Sequence, residues 1–408
     1  MSGVWRDGNQ IQLLINGEEF YPRVFERIRA AREEVLLETF IIMEDKVGLA
    51  LQQVLIETAR RGVRVVLAVD GYGTADLGSE YVAAMAREGI QVHVFDPSPR
   101  RLGMRTNLFR RLHRKIVVID GERAFVGGIN YSADHLGDFG EMAKQDYAVE
   151  VSGPIVRDLH SSTMRLLRSA LIAPSPTQPL AKPVGDVRIM LLERDNERHT
   201  TDIEEQYLSA FRAAKERLIV ANAYFFPSYK VLRELRNAAR RGVKVTLILQ
   251  GQPDMAWAQG FSRLLYNYLL RDGVDIYEYC QRPLHGKVAL VDHEWSTVGS
   301  SNLDPLSLAL NLEANLFISD RAFNQQLYDH LQQLSAEHCT RIRLERILRG
   351  YWWRAPLVFL CFHFIRLFPA IPGLLPAHRK NLKPLTPTPE VQTQTQDKPC
   401  YCKEEKTG

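Results

Sequence analysis

Ala59-Arg-Arg-Gly-Val-Arg-Val-Val-Leu67 recurs as Ala239-Arg-Arg-Gly-Val-Lys-Val-Thr-Leu247, and this recurrence decides the fold. Each version reads as the end of an amphipathic helix, a glycine that stops it, and an apolar run of strand type. Two further pairs keep the same order. Ala31-Arg-Glu-Glu-Val-Leu-Leu37 matches Ala214-Lys-Glu-Arg-Leu-Ile-Val220, and Arg87-Glu-Gly-Ile-Gln-Val92 returns as Arg271-Asp-Gly-Val-Asp-Ile276. Ordered matches of this kind mark a duplication. Each copy reads strand, helix, strand, helix, strand, which predicts an α/β fold with helices on both faces of a mixed sheet.

Working outward, Ala173-Pro-Ser-Pro-Thr-Gln-Pro-Leu-Ala-Lys-Pro183 carries four prolines and no core pattern, so it reads as a linker. The expected domains are 1–172 and 186–340, with 173–185 between them. Beyond them, Tyr351 to Pro369 is apolar and aromatic, with Trp352 and Trp353, but is interrupted by Arg354, His363 and Arg366 and preceded by Arg349. That composition suits the water–lipid interface rather than a bilayer span, so 341–380 is expected to associate with membranes. A terminal helix packed on the core is the other reading. From 381 onward, repeated Pro, Thr and Gln predict a disordered tail.

A chain of 408 residues fits two ordinary domains, and 45% hydrophobic with 25% charged residues excludes a disordered or fibrous protein. The net charge of +4 is too small to name a nucleic-acid or membrane partner. Five cysteines in this length do not form a disulfide framework. Cys400 and Cys402 read as exposed tail thiols more readily than as a metal pair. The polar N-terminus lacks signal-peptide regions, and no clean run of about 20 apolar residues follows, so a cytoplasmic-side protein is expected.

Each copy also holds His-x-Lys-x4-Asp: His113, Lys115 and Asp120 in Leu112-His-Arg-Lys-Ile-Val-Val-Ile-Asp120, and His285, Lys287 and Asp292 in Leu284-His-Gly-Lys-Val-Ala-Leu-Val-Asp292. Apolar residues after each Lys indicate a strand, so His and Lys, two apart, project from one face. Seventeen residues beyond each His lies an Asn, Asn130 and Asn302, after small residues that let backbone approach a ligand. The equal spacing suggests a hairpin, turning at Asp120-Gly121, that returns to the same site. Two domains related by pseudo-two-fold symmetry would place two His, two Lys and two Asn around one cleft at their interface. There one imidazole can attack phosphorus to give a phosphohistidine while the other protonates the leaving alkoxide. Two ammonium groups and two amides can stabilise the phosphoryl oxygens, and Asn130 and Asn302 are the expected phosphate-binding residues. No cofactor and no metal is called for, since Lys115 and Lys287 sit where they would repel a cation. Asp120 and Asp292 have two readings, as orienters supporting the site or as caps of a turn. His135 and the remaining histidines read as structural.

The paired motifs resemble the phospholipase D superfamily, and the surrounding text is similar to its bacterial cardiolipin synthases of the B type. The similarity runs along most of residues 5–380, through Asp70-Gly-Tyr-Gly73, Lys144-Gln-Asp-Tyr-Ala-Val149, Ala221-Asn-Ala-Tyr-Phe-Phe226 and Val298-Gly-Ser-Ser-Asn-Leu-Asp-Pro-Leu-Ser307 among other stretches. The resemblance implies a phosphatidyl transfer: one phosphatidylglycerol gives its phosphatidyl group to a histidine with release of glycerol, and a second takes it up to form cardiolipin. It implies His113 as nucleophile, His285 as general acid and base, and Asp146 and Glu313 as acids that hydrogen-bond the imidazoles. The implied partners are phosphatidylglycerol, other anionic phospholipids and the membrane surface, with the protein peripheral to the inner membrane on its cytoplasmic side. No nucleic acid is expected, although the same motifs serve water-using phospholipases and nucleases. One asymmetry stands out. The first copy is twelve residues longer between Gly89 and His113 than the second between Gly273 and His285, and holds five arginines in Pro99 to Leu112. That loop suits an anionic lipid headgroup, with a solvated basic loop or a nucleic-acid contact as the other readings.

Overall fold

The computed structural model describes residues 3–97, 110–168, 182–252 and 256–345, together with Ser175 and short pieces at 356–357, 359–360, 363–364 and 382–385. Most of the expected linker, the arginine loop up to 109, most of the membrane-associating segment and the tail beyond 385 lie outside the described residues, whereas Leu382–Pro384, at the start of the tail expected to be disordered, forms a strand paired antiparallel with Gln91–Phe95.

The first half runs β1 (Arg6–Ile15), α1 (Asn16–Arg29), β2 (Glu34–Thr39), α2 (Lys46–Arg60), β3 (Arg64–Asp70), α3 (Ser79–Arg87), β4 (Gln91–Phe95), β5 (Ile116–Ile119), β6 (Arg123–Gly127), β7 (Tyr147–Ser152) and α4 (Ile155–Leu167). The second half repeats it as β8 (Val187–Arg194), α5 (Asp202–Ala213), β9 (Arg217–Asn222), α6 (Tyr229–Arg240), β10 (Lys244–Gln250), α7 (Ala256–Leu270), β11 (Asp275–Tyr279), β12 (Lys287–Val291), β13 (Trp295–Gly299), a short α8 (Pro305–Ala309), β14 (Glu313–Ser319) and α9 (Arg321–His338). The repeated Arg-Arg-Gly stretch ends α2 and α6: Gly62 and Gly242 adopt φ of +87° and +91°, which a side chain would strain, and the apolar run after each becomes β3 and β10. Asp45 caps α2 by accepting from the Val47 and Gly48 N–H groups, and Ser228 caps α6.

The sheet order is β1-β7-β6-β5-β2-β3-β4 in the first half and β8-β14-β13-β12-β9-β10-β11 in the second, the same order under the duplication. In each half the three strands around the βαβ units are parallel and the rest antiparallel. β1 pairs antiparallel with β8, so the two sheets join at the pseudo-two-fold seam. The pattern reading started each copy at β2 or β9 and passed over this seam pair.

Three layers of core follow. Phe20, Val24, Leu51 and Leu55 fill the space between the sheet and α1 and α2, and Leu208, Phe211, Leu232 and Leu235 do the same in the second half. Between the halves lies a shared core, in which Leu36, Ile116, Val126 and Val149 cluster with Ile219, Val288, Val298 and Leu316, closed by Leu159 of α4 and Leu331 of α9. Each such side chain contributes about 1.5–3 kcal/mol on burial, so the halves hold together as one body. No helix among the described residues is long and apolar enough to cross a membrane.

Candidate active site

The motif strands β5 and β12 lie at the centres of their half-sheets, and the residues just before them carry the chemistry. The His113 N–H donates to the Leu312 carbonyl at 3.0 Å, and the Leu312 N–H to the Arg111 carbonyl at 2.8 Å. Under the duplication, the His285 N–H donates to the Gln145 carbonyl at 2.8 Å, and the Gln145 N–H to the Pro283 carbonyl at 2.9 Å. Leu312 precedes Glu313 and Gln145 precedes Asp146. Each motif is thus stitched to the backbone beside the acid of the opposite half.

The acids follow suit. His113 Nδ1 lies 3.0 Å from Glu313 Oε2, and His285 Nδ1 lies 2.6 Å from Asp146 Oδ2. A carboxylate accepts the Nδ1 proton, which leaves Nε2 of each imidazole with a lone pair for chemistry. Lys115 Nζ donates to the His113 carbonyl at 2.8 Å; Lys287 Nζ donates to the His285 carbonyl and lies 4.0 Å from Asp146. Both acids are fully buried, whereas each motif imidazole keeps 12% exposure, enough to meet a ligand.

The two acids are supported differently. Glu313 also accepts from the Ser300 hydroxyl. Asp146 accepts from the Tyr147 N–H at 2.8 Å, and its own backbone is clamped by Asn16, whose N–H donates to the Asp146 carbonyl and whose Oδ1 accepts from the Asp146 N–H. At the position matching Ser300 stands Gly128, where an added Cβ would lie 2.3 Å from Asp146 Oδ1. Only glycine lets the shorter acid sit there.

Burial sets the protonation of the cations. It pushes the Lys115 ammonium down to about 7, with Glu313 opposing and Lys287 assisting the fall. Burial also lowers His113, against the pull of Glu313, and drives His285 well below its ordinary value, with Lys287 adding to the fall. An arriving phosphodiester anion favours the protonated forms of all these groups.

Asn130 and Asn302 are both buried, and the Oδ1 of each has no hydrogen-bond partner among the described residues. Asn130 is held through its backbone, its carbonyl accepting from the Tyr21 hydroxyl at 2.6 Å and its N–H donating to His135 Nε2 at 3.3 Å. Each open Oδ1 is an acceptor for a ligand hydroxyl, while only the Nδ2 group of the same amide can donate to a phosphoryl oxygen.

Asp120 and Asp292 are a correction: they are not in the site. Each stands at the far end of its motif strand, on the order of 15 Å from the lysine at about 3.3 Å per residue. Asp120 accepts from the backbone N–H groups of Arg32, Glu33 and Glu34, all at 2.9 Å, and Asp292 from those of Lys215, Glu216 and Arg217. They fasten the entry of β2 and β9, and their left-handed φ of +52° and +49° opens the hairpin turn.

Sequence reasoning left three neighbours out of the site. His135 is fully buried with its ring edge-on to His285, centroids 5.5 Å apart, and its Nδ1 lies 3.9 Å from Asp146. The second copy has Ser307 at the same spacing, so a search for shared residues passes over it. The Phe40 ring packs edge-on to His113 at 5.1 Å. Asp70, inside the quoted stretch Asp70 to Gly73, accepts from the Leu112 N–H at 2.7 Å and so fixes the residue before His113. His135, Asp146 and His285 place ligand atoms within 4.8 Å of one another, a spacing open to a cation, but Lys287 Nζ stands 3.0 Å from His285 Nδ1 and opposes one.

Two imidazoles oriented by carboxylates, two lysines and two open amides in one cleft can perform in-line displacement at a phosphodiester. The family profile described as "Cardiolipin synthase, PLD-like domain" matches residues 24–161 and 207–335, one stretch in each half. The chain is 50% identical to cardiolipin synthase B of Salmonella typhi over 97% of each chain, and 49% identical to that of Escherichia coli strain K12 over the same share. In fold it is similar to the crystal structure of phosphatidylserine synthase from Haemophilus influenzae, with TM-score 0.63 and 15% identity over 90% of this chain and 94% of that one. The duplicated domain, the paired motifs and near-full-length similarity lead to one conclusion: the chain belongs to the cardiolipin synthase family of the phospholipase D superfamily.

Proposed function

We propose that the protein is a cardiolipin synthase that transfers a phosphatidyl group between two phosphatidylglycerol molecules through a phosphohistidine. The observation that carries this reading is the exchange of acids between halves, His113 with Glu313 and His285 with Asp146, which makes both imidazoles parts of one machine. In the first step His113 Nε2 attacks phosphorus, a P–N bond forms, the P–O bond to glycerol breaks, and the glycerol oxygen takes a proton from His285. In the second step the hydroxyl of another phosphatidylglycerol gives its proton to His285 and attacks phosphorus, the P–N bond breaks, and His113 is restored. Lys115, Lys287, Asn130 and Asn302 stabilise charge on the phosphoryl oxygens. His285 is the better acid of the pair because burial and Lys287 hold its proton loosely once the substrate anion has brought it there.

The substrates are lipids, so the protein works at a membrane surface, peripheral to the inner membrane on its cytoplasmic side. Vesicles of phosphatidylglycerol given to the purified protein should yield cardiolipin and free glycerol in equal amounts, read by mass spectrometry. Phosphatidic acid as the main product would make the acceptor water and the protein a phospholipase. Cleavage of DNA without lipid turnover would make it a nuclease.

A further inference from the structure

Asn130 and Asp146 are sixteen residues apart, whereas Asn302 and Glu313 are eleven apart. The longer connection in the first half carries two large apolar side chains that face water: Phe139 is 51% exposed and Met142 54%. Beside them stand Met43 in the β2–α2 connection and Leu49 in the first turn of α2, 47% and 52% exposed. The Lys46–Asp138 ion pair ties the two connections together. Single exposed apolar residues are ordinary, but four on one rim form a patch.

The rim borders the site. The Met43 N–H donates to the Tyr131 carbonyl at 3.0 Å, next to Asn130, and Phe40, three residues earlier, packs on His113. In the second half Phe226 takes the place of Met43, its N–H donating to the Leu303 carbonyl at 2.9 Å, next to Asn302. There the Phe364 ring lies 6.2 Å from Phe226, in a C-terminal piece whose Leu357, Phe359 and Leu360 are exposed. The pseudo-two-fold axis passes between the halves, so these positions flank one cleft from opposite sides. A flat apolar medium lying across that axis touches both, as a bilayer does.

We propose that the rim of Met43, Leu49, Phe139 and Met142 is a bilayer-docking surface that enters the boundary between headgroups and acyl chains on one side of the cleft, opposite the C-terminal segment. This rests on the lipid substrate of the proposed function. Lys46 and Lys144 beside it are paired with Asp138 and Asp134, and Glu141 stands in the same connection, so the rim carries no excess positive charge and docking here is apolar and tolerates salt, unlike attraction of arginines to anionic headgroups.

The test uses the full chain and the triple variant Met43→Ser, Phe139→Ser, Met142→Ser. All three side chains are exposed, so an unchanged melting curve is expected; if it falls, Phe139→Ser alone serves. With vesicles of phosphatidylglycerol and phosphatidylcholine, the triple variant should float at least tenfold less, about threefold less for the single one, at low and high salt alike. Turnover of vesicle substrate should fall in proportion, while turnover of a monomeric short-chain phosphatidylglycerol stays unchanged. Unchanged flotation would overturn the proposal, and so would a wild-type dimer that the variant breaks into monomers, which would make the rim an interface between copies. If the wild type floats but makes no cardiolipin, the reading of function fails while the docking surface stands; if it makes cardiolipin and the variant floats equally well, the surface alone fails.

Discussion

The two halves of the site share a skeleton and differ in its lining. His113 is held by a glutamate that leans on the Ser300 hydroxyl, with Arg194, at the end of β8, fastening the approach to that acid through the Asn311 and Ala309 carbonyls. His285 is held by a shorter aspartate packed on Gly128, clamped by Asn16 at the end of β1 and flanked by His135. Lys287 lies within 3.0 Å of His285 Nδ1, whereas Lys115 donates to the carbonyl of His113 and stands over the Phe40 ring, 5.4 Å from its centroid. The difference teaches that duplication preserved strand order, register and the exchange of acids, while divergence of a few lining residues gave the two imidazoles different surroundings.

The harshest way to break this comparison is to remove either imidazole. His113→Ala and His285→Ala should each lower turnover by roughly 10³-fold or more, because groups that act as a unit are not additive. Measured rates near half of wild type in either variant would mean two independent sites. Next comes the exchange of the acid supports. Gly128→Ser should push Asp146 out of line with His285 and cost roughly 10²-fold in kcat, as small misplacements in a reacting constellation do. Ser300→Gly removes one hydrogen bond to Glu313 and should cost only about 1 kcal/mol, or several-fold. Equal losses in the two variants would show that the halves support their acids alike.

Much of this was legible in the sequence. The duplication, the mixed α/β layers and the hairpin that leads back toward each Asn follow from spacing and periodicity, whereas each His stands just before its strand and not on a strand face. The crossing of the acids was not, because Asp146 and Glu313 each follow their own motif in the chain, and the imidazole each meets is set by the β1–β8 seam and the shared core. His135 has no counterpart in the second copy, so repetition could not flag it. Asp120 and Asp292 misled for the opposite reason: they repeat as faithfully as His and Lys, but they are repeated for folding. Repetition marks a constraint without naming it.

The lysines offer a finer probe of the comparison. Burial holds Lys115 at about 7, so its ammonium is lost as pH rises through that value in the free protein. Because kcat/KM reports the free enzyme, loss of the Lys115 ammonium should add a decline above about pH 7 to the one that His285, whose protonated form the first step needs, imposes as pH rises through its own lowered value. Lys115→Arg keeps its charge at all these pH values and should carry the alkaline decline upward, at some cost in rate. An alkaline decline that stays in place would assign it to another group.

The smallest effect on chemistry is expected at the repeated aspartates, where the two halves should behave alike. Asp120 and Asp292 each satisfy three backbone N–H groups at the entry of a central strand, and neither reaches an imidazole, a lysine or an open amide of the cleft. Removing such a carboxylate leaves those donors without their partner and costs about 2 kcal/mol, which lowers Tm by roughly 2 °C in a chain of this size. Asp120→Ala and Asp292→Ala should therefore melt earlier while the folded fraction at moderate temperature turns over substrate at the wild-type rate. A loss of activity per folded molecule of 10²-fold or more, with Tm unchanged, would return these acids to the catalytic machinery and require the field of a carboxylate to act along the whole length of β5 or β12. Through a packed strand whose backbone groups are already paired, at a separation on the order of 15 Å, that coupling is worth only a fraction of what a direct hydrogen bond supplies.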